Sequence, residues 1–511
     1  MDLALALLSG ALLALSFPRF GHSSFGWIAL APLLVALAYR RQTYRRSFGL
    51  GLLAGFVYFA GTLYWFVVTL TTFGGLNTPL AAGATALGIA YLALYPALFA
   101  VIQSRLVRAL GKPALLLAPA VWVATEMART YAPLNFPWEL LGYSQATVLP
   151  IAQLASVAGV YGLSALVASV STAAAFALLD TSPRRWLVSG VVALAVSATA
   201  IWGTLRIRDH ALTREGTPVR VAVLQGNIPQ EQKWDAAMAD AIMDRYIGMT
   251  REAIGRHAQF IVWPESATPV PYEQDLRRGE LIRRLAREAH LTMLIGSDQM
   301  EPIKPVPLAS FAKEPPPLAY NAAYLIGPDG STAAVYRKIH LVPFGEYVPF
   351  GRLLFFVGPL VEAVSDFTPG AEATLLPVKG HMVSTAICYE VIYAGLMRSF
   401  VTRGSELLTT ITNDAWYGWS SAAYQHWEQA SLRAIEEGRY LARAANTGIS
   451  GFVDPYGRVL QRSNMFQSAV MAEDVRFLTG RTIYNRLGDV VGWLSVALTL
   501  AALLATRRKV R

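Results

Sequence analysis

Residues 186–224 read WLVSGVVALAVSATAIWGT LRIRDHALTREG TPVRVAVL, and the change of material inside that stretch decides the fold. Its first part, 186–204, carries no charged side chain and is close to the roughly 20 apolar residues that a bilayer-crossing helix needs. Segment 205–216 is crowded with charge, and 219–224 is a short run rich in valine, which predicts a buried β-strand. A membrane helix therefore hands the chain to a domain of ordinary polarity.

The same division holds across all 511 residues. Only 11 of the 44 Lys/Arg and 4 of the 34 Asp/Glu lie in residues 1–204, so the first part cannot keep its apolar surface in water. Disorder, a collagen-like repeat and a single soluble domain are excluded. Apolar runs at 3–17, 25–39, 48–70, 80–104, 113–127, 149–179, 186–204 and 488–506 predict eight spans. Residues 1–17 lack a basic leader, which argues against a signal peptide.

The net charge of +10 sits between these runs: Arg40, Arg41, Arg45 and Arg46; Arg105, Arg108 and Lys112; Arg184 and Arg185; and Arg507, Arg508, Lys509 and Arg511. Strict alternation of eight spans puts every cluster on one side, which the positive-inside rule assigns to the cytoplasm together with both termini. That placement explains the basic charge without nucleic acid. The segment 217–478 then lies outside the cytoplasm. Strands are predicted at 219–224, 260–263, 292–295, 322–326, 382–387 and 407–411, and helices at 235–256, 275–290, 391–403 and 423–438. Their alternation indicates an α/β domain large enough for its own core. The proline-rich stretch 301–318 reads as a surface loop.

No P-loop, G-x-G-x-x-G or paired His/Cys spacing occurs in that domain, so no metal or nucleotide cofactor is expected. With one cysteine the chain has no internal disulfide. That cysteine, Cys388, closes the apolar run 383–387 just before a helical stretch, where backbone N–H groups favour a thiolate and an oxyanion. Glu265 follows Trp263-Pro264 at another strand end, and Lys338 lies in the aromatic and charged segment 336–347. Each also reads as an ordinary core, capping or surface residue when taken alone.

Joined, these segments resemble the nitrilase superfamily. The longer text resembles, over nearly the whole chain, the apolipoprotein N-acyltransferase family of bacterial membrane enzymes: Gln225 to Gln230 with Lys233-Trp234, Trp263-Pro264-Glu265, Tyr320-Asn321, YRKIHLVPFGEYVP over 336–349, Ile387-Cys388-Tyr389-Glu390, TNDAWYG over 412–418, ANTGIS over 445–450, and Phe136-Pro137-Trp138 with Leu141-Gly142-Tyr143. The chain departs from the family pattern at Ala422-Ala423-Tyr424, where Gly-Pro is frequent, and at Ala322, where serine is common.

The resemblance implies a helical membrane domain over 1–204, an extracytoplasmic nitrilase-like α-β-β-α sandwich over 217–478 and a last membrane helix over 488–506. It implies Cys388 as nucleophile, Glu265 as general base and Lys338 beside the oxyanion. The reaction it implies moves an acyl chain from a phospholipid to the α-amine of a diacylated apolipoprotein, at the inner membrane, through a Cys388 thioester. An adjacent carboxylate and ammonium are expected to raise the thiolate fraction. Glu346 is expected to hold Lys338; Tyr389 and Glu390 to shape an acyl channel or serve as scaffold; Asn321 to support the site; and Trp234 and the run 353–357 to form a lid, the run reading equally as a core helix. Trp138 and Tyr143 are expected as substrate contacts or interfacial anchors. A whole site on one chain suggests a monomer. Two other classes stay open: a membrane-tethered amidase using the same three groups with water as acceptor, and a transporter, for which only Glu126 and Glu139 approach membrane depth.

Overall fold

The computed structural model describes residues 1–40, 42–132, 134–302, 317–347 and 367–507. The run 353–357, the greater part of the loop 301–318, and Arg41, Arg508, Lys509 and Arg511 lie outside the described residues.

Four helices are long and apolar enough to cross a membrane: Tyr44–Leu63, Thr78–Leu110, Ala155–Leu179 and Arg184–Arg214. Three shorter apolar helical segments, Asp2–Ala14, Ser23–Tyr39 and Val490–Ala505, join them. Arg184–Arg214 is apolar along its candidate span, yet only 6% of that window is covered by protein, as expected of a helix whose solvent is lipid. Several boundaries differ from the apolar runs. The run 48–70 breaks at Tyr64 between Tyr44–Leu63 and Trp65–Thr72. The run 113–127 opens as a 3-10 turn, Lys112–Leu117, because Pro113 and Pro119 start new helical segments where their missing N–H costs nothing. Gly159, inside Ala155–Leu179, has φ 64°, and a Cβ there would lie 2.5 Å from the Tyr484 ring, so the kink reserves that position for glycine.

Twelve strands form two six-stranded sheets among the described residues. In chain order they are β1 (Thr217–Gln225), β2 (Phe260–Val262), β3 (Thr292–Glu301), β4 (Leu318–Ile326), β5 (Thr332–Arg337), β6 (Leu376–Val378), β7 (His381–Ile387), β8 (Leu407–Thr412), β9 (Leu441–Ala445), β10 (Gly451–Val453), β11 (Val459–Arg462) and β12 (Ala469–Phe477). The orders are β12-β1-β2-β3-β4-β5 and β11-β10-β9-β8-β7-β6. All six strands expected from the apolar runs are present; β5, β6, β9, β10, β11 and β12 have weaker patterns and emerge only from pairing.

Alternation along the strands builds the layers. Val221, Val223, Val262, Leu294 and Leu325 share one face of the first sheet and belong to the same buried apolar cluster as Val383, Ile387 and Ile411 of the second. Their neighbours Ala222, Leu224, Ile261, Met293 and Tyr324 meet Ile242, Tyr246, Ile282 and Ala286 of the outer helices Ala239–Gly255 and Leu276–Ala289. Ala394–Thr402 and Ala422–Glu437 cover the other side. The result is an α-β-β-α sandwich. Ala422–Glu437 is no ordinary outer helix: 14 of its 16 residues are buried, because the membrane half covers the face that water would otherwise reach. Through it Val160 N–H donates to Glu436 (2.9 Å), and Trp65 and Trp138 both donate indole N–H bonds to Gln425.

Candidate active site

In the first sheet β1, β2, β3 and β5 point the same way, and in the second β7, β8 and β9 do. Their carboxyl ends converge on one edge, the usual place for a ligand site in such sheets. Glu265 follows β2, Lys338 follows β5, Cys388 follows β7 and Asn413 follows β8.

Glu265 is 6% exposed and gripped from both sheets. Its Oε1 accepts from the Asn321 amide (2.7 Å) and lies 3.4 Å from Lys338 Nζ, while its Oε2 accepts from the Asn413 backbone N–H (2.8 Å). β3 passes so close beneath that a Cβ on Gly296 would stand 2.3 Å from the Pro264 carbonyl, which reserves that position for glycine.

The Lys338 ammonium, 1% exposed, donates to Glu346 Oε1 (2.8 Å) as well as facing Glu265. Burial works against its charge, but the Glu346 and Glu265 carboxylates outweigh burial and hold its pKa above the ordinary lysine value. Asn321 ties the arrangement together, since its side-chain amide also donates to Glu346 (3.0 Å) and its backbone carbonyl accepts from the Lys338 backbone N–H (2.9 Å).

Cys388 sits where the strand becomes the 3-10 helix Cys388–Ile392, with φ 53°, a left-handed conformation that a side chain adopts only under constraint. It is 5% exposed and interacts electrostatically with Glu265 and Lys338. The expected gain in thiolate is not met in the resting site. Burial first, then the Glu265 carboxylate, push the thiol up to about 12, outweighing Lys338, so the sulfur is protonated until a base takes its proton.

Glu390 is a brace. Its Oε2 accepts from Ile387 N–H (2.7 Å), and its Oε1 accepts from Tyr336 Oη (2.8 Å) and the backbone N–H groups of Ile339 (2.6 Å) and His340 (3.1 Å), lacing the Cys388 elbow to the Lys338 segment. Tyr389 donates to the Asn135 carbonyl (3.1 Å) and stacks on Phe136, fastening the elbow to the membrane half. Trp234 is 50% exposed, its ring 5.7 Å from the Lys233 ammonium.

One of the two alternatives for Trp138 and Tyr143 is corrected. Trp138 and Tyr143 are each 1% exposed, so neither anchors a membrane interface. Trp138 packs between Phe136, Trp65 and His426, and Tyr143 accepts from Arg433 (2.6 Å). An aromatic residue in a loop between spans has the same sequence signature whether it meets lipid headgroups or, as here, a second domain.

Residues passed over in the sequence complete the setting. Lys233 donates to the Glu265 carbonyl (3.0 Å), and burial lowers it to about 8 despite Glu265 and Asp298 nearby. Asn446 donates to Asn413 (3.0 Å) and joins the end of β9 to Ile228 beyond β1. His426 meets the Cys388 carbonyl (3.1 Å). Among the described residues no cluster of His, Cys, Asp and Glu that could hold a metal ion is present.

Comparisons with known proteins give the family. A family model described as the apolipoprotein N-acyltransferase N-terminal domain matches residues 9–173, and one for carbon-nitrogen hydrolases matches 220–483. The apolipoprotein N-acyltransferase of Geobacter metallireducens is 40% identical over 99% of this chain and 96% of its own length. The chain belongs to the apolipoprotein N-acyltransferase family. Another relative of that name, from Methylococcus capsulatus, is 34% identical over 97% of this chain and 93% of its own. Among solved structures, a nitrilase-superfamily amidase from Nesterenkonia is 20% identical, with a TM-score of 0.39 over 51% of this chain and 92% of that one. In an apolipoprotein N-acyltransferase, a buried carboxylate, an ammonium and a thiol at converging strand ends can carry acyl transfer: one group moves a proton, one faces an oxyanion, one forms the covalent bond.

Proposed function

We propose that this chain transfers an acyl group from a phospholipid to the α-amino group of the N-terminal diacylglyceryl-cysteine of apolipoproteins. The observation that carries the reading is the cluster of Glu265, Lys338 and Glu346 beside Cys388, at an elbow fastened by Tyr389 to the membrane half.

In the first half-reaction Glu265 takes the thiol proton and the thiolate attacks the ester carbonyl of the phospholipid. The tetrahedral oxyanion develops beside the Lys338 ammonium. Collapse breaks the acyl C–O bond, the departing glycerol oxygen takes its proton from Glu265, and a lysophospholipid leaves a thioester on Cys388. In the second, the neutral α-amine, whose ordinary pKa is near 8, attacks the thioester. Its proton passes to Glu265 and on to the departing sulfur, restoring the thiol. The kinetics are ping-pong.

Both substrates are lipids, and drawing an acyl chain into water costs about 0.8 kcal/mol per CH₂. A site held against apolar helices avoids that cost. The remaining expectations belong to the same reading: eight spans with both termini in the cytoplasm, a catalytic domain over 217–478 on the periplasmic side of the inner membrane between spans over 1–204 and 488–506, and action as a monomer. The four basic clusters support the orientation.

Intact-mass spectrometry after incubation with phospholipid tests the function. An added acyl mass that is absent from Cys388→Ala and moves onto the amine of a diacylated lipopeptide is the expected result. An adduct that decays to free fatty acid at the same rate without lipopeptide makes the protein a hydrolase instead. No adduct under any condition overturns the thioester route.

A further inference from the structure

The strained elbow at Cys388 has a buried support in the helix Ala422–Glu437. His426 is fully buried in that helix, and its Nε2 lies 3.1 Å from the Cys388 carbonyl oxygen. A carbonyl only accepts, so Nε2 carries the proton. The opposite nitrogen, Nδ1, is 2.9 Å from Arg443 Nη2, which donates to it and to Asp414 Oδ2 at 3.0 Å; Asp414 Oδ1 lies 3.1 Å from the same Nδ1 and accepts from the Thr412 hydroxyl at 2.8 Å. Burial, then Arg443, hold the imidazole below the usual histidine range against the pull of Asp414, which keeps the neutral ring with its proton at Nε2. The tautomer is set by the buried Arg443, which donates to Nδ1, and by the Cys388 carbonyl, which accepts from Nε2.

Resting on the acyltransferase reading, we propose that His426 is a positioning residue for the nucleophile: its Nε2–H holds the Cys388 carbonyl, and with it the left-handed peptide that aims the sulfur. A donor on a peptide carbonyl also polarises the amide that shares the bond, here the Tyr389 N–H, in the first turn of the 3-10 helix. First-turn N–H groups have no partner within their own helix, and a polarised one placed next to the nucleophile strengthens the field that meets a developing oxyanion. The adjacent residue, Gln425, accepts from Trp65 and Trp138 and donates to the Thr62 carbonyl (3.1 Å), so the helix that carries His426 takes its position from the membrane half.

The test compares H426Q, whose longer amide puts a donor where Nε2 stands, with H426N, whose amide stops one carbon short. Cys388 is the only cysteine, so feeding cysteine labelled with heavy carbon at its carbonyl marks this single carbonyl for infrared spectroscopy. In H426Q the labelled band is expected at the wild-type position, with acyl-enzyme formation within about tenfold of wild type. In H426N the band is expected to move to higher frequency and the acylation rate constant to fall about 100-fold, the loss that a misplaced reacting group brings, with KM for phospholipid unchanged. An unmoved band in H426N, a moved band with wild-type acylation, or H426Q as slow as H426N overturns the proposal. Should H426N fail to fold, H426Q decides: an unmoved band with near-wild-type acylation supports the role, and a moved band with wild-type acylation overturns it. Absence of any acyl adduct in the wild type defeats the acyltransferase reading, while the infrared comparison still reports whether His426 holds the carbonyl.

Discussion

The Glu346 carboxylate approaches the Lys338 ammonium to 2.8 Å, closer than Glu265 does at 3.4 Å. In the proposed reaction Lys338 thus keeps its charge through a partner that takes no proton, while Glu265 exchanges protons without losing its neighbour. Glu346→Gln keeps the shape and removes the charge. A hydrogen bond to a charged group is worth about 1.5–3 kcal/mol, so acyl-enzyme formation is expected to slow roughly 10- to 100-fold. Single-turnover acylation measures it, and a rate within about twofold of wild type contradicts the assignment.

Alkylation of the sole cysteine reads the thiol directly. With its pKa raised to about 12, the thiolate fraction grows about tenfold per pH unit across the neutral and mildly alkaline range. Labelling by a small neutral reagent should follow it with no plateau, and a plateau near pH ~8.5, the value of a free thiol, contradicts the burial described here. Because the Glu265 carboxylate helps raise the thiol, Glu265→Gln is expected to speed alkylation at a fixed pH while abolishing acyl transfer.

Glu390→Gln replaces one accepting oxygen by a donor facing N–H groups. Of its four bonds, those at one oxygen are lost and their partners stay buried, at about 1–3 kcal/mol for each unsatisfied group. Thermal unfolding in detergent should show a large fall in Tm. Tyr389→Phe removes one bond, to Asn135, and is expected to cost only about 0.5–1.5 kcal/mol. Equal losses for the two would mean that Glu390 is not the brace.

Trp138→Phe removes the indole donor to Gln425 and leaves a buried acceptor with one partner fewer. Stability should fall by about 0.5–1.5 kcal/mol. An interfacial anchor behaves differently: its replacement by another aromatic residue leaves unfolding unchanged and alters only the depth in the bilayer. Unfolding in detergent separates the two.

Much of the sandwich could be read from residue order because its strands leave local signatures: valine-rich runs such as 219–224 announce themselves by composition. Glu265, Lys338 and Cys388 each also read as core, capping or surface residues, and their roles came only from the family resemblance. His426, Gln425 and Lys233 gave no such sign. Their roles depend on partners far away in sequence, as Gln425 does on Trp65 and His426 on Cys388 and Arg443, and no periodicity encodes such a meeting. The anchor alternative for Trp138 and Tyr143 failed for a related reason: their amphipathic rings suit a headgroup layer and a domain interface equally well. The thiol's resting state was misjudged because sequence shows which charges are near and not how little water remains.

The helix Ala422–Glu437, sheathed on both faces, bears on how such an enzyme can be handled. Cutting the α/β half free for study in solution would strip the cover from one side of the segment that carries His426. Crystallisation and inhibitor screens built on an excised sandwich would therefore probe a thiol that has lost its footing, whereas the intact chain in nanodiscs preserves the reference frame against which the sulfur is aimed.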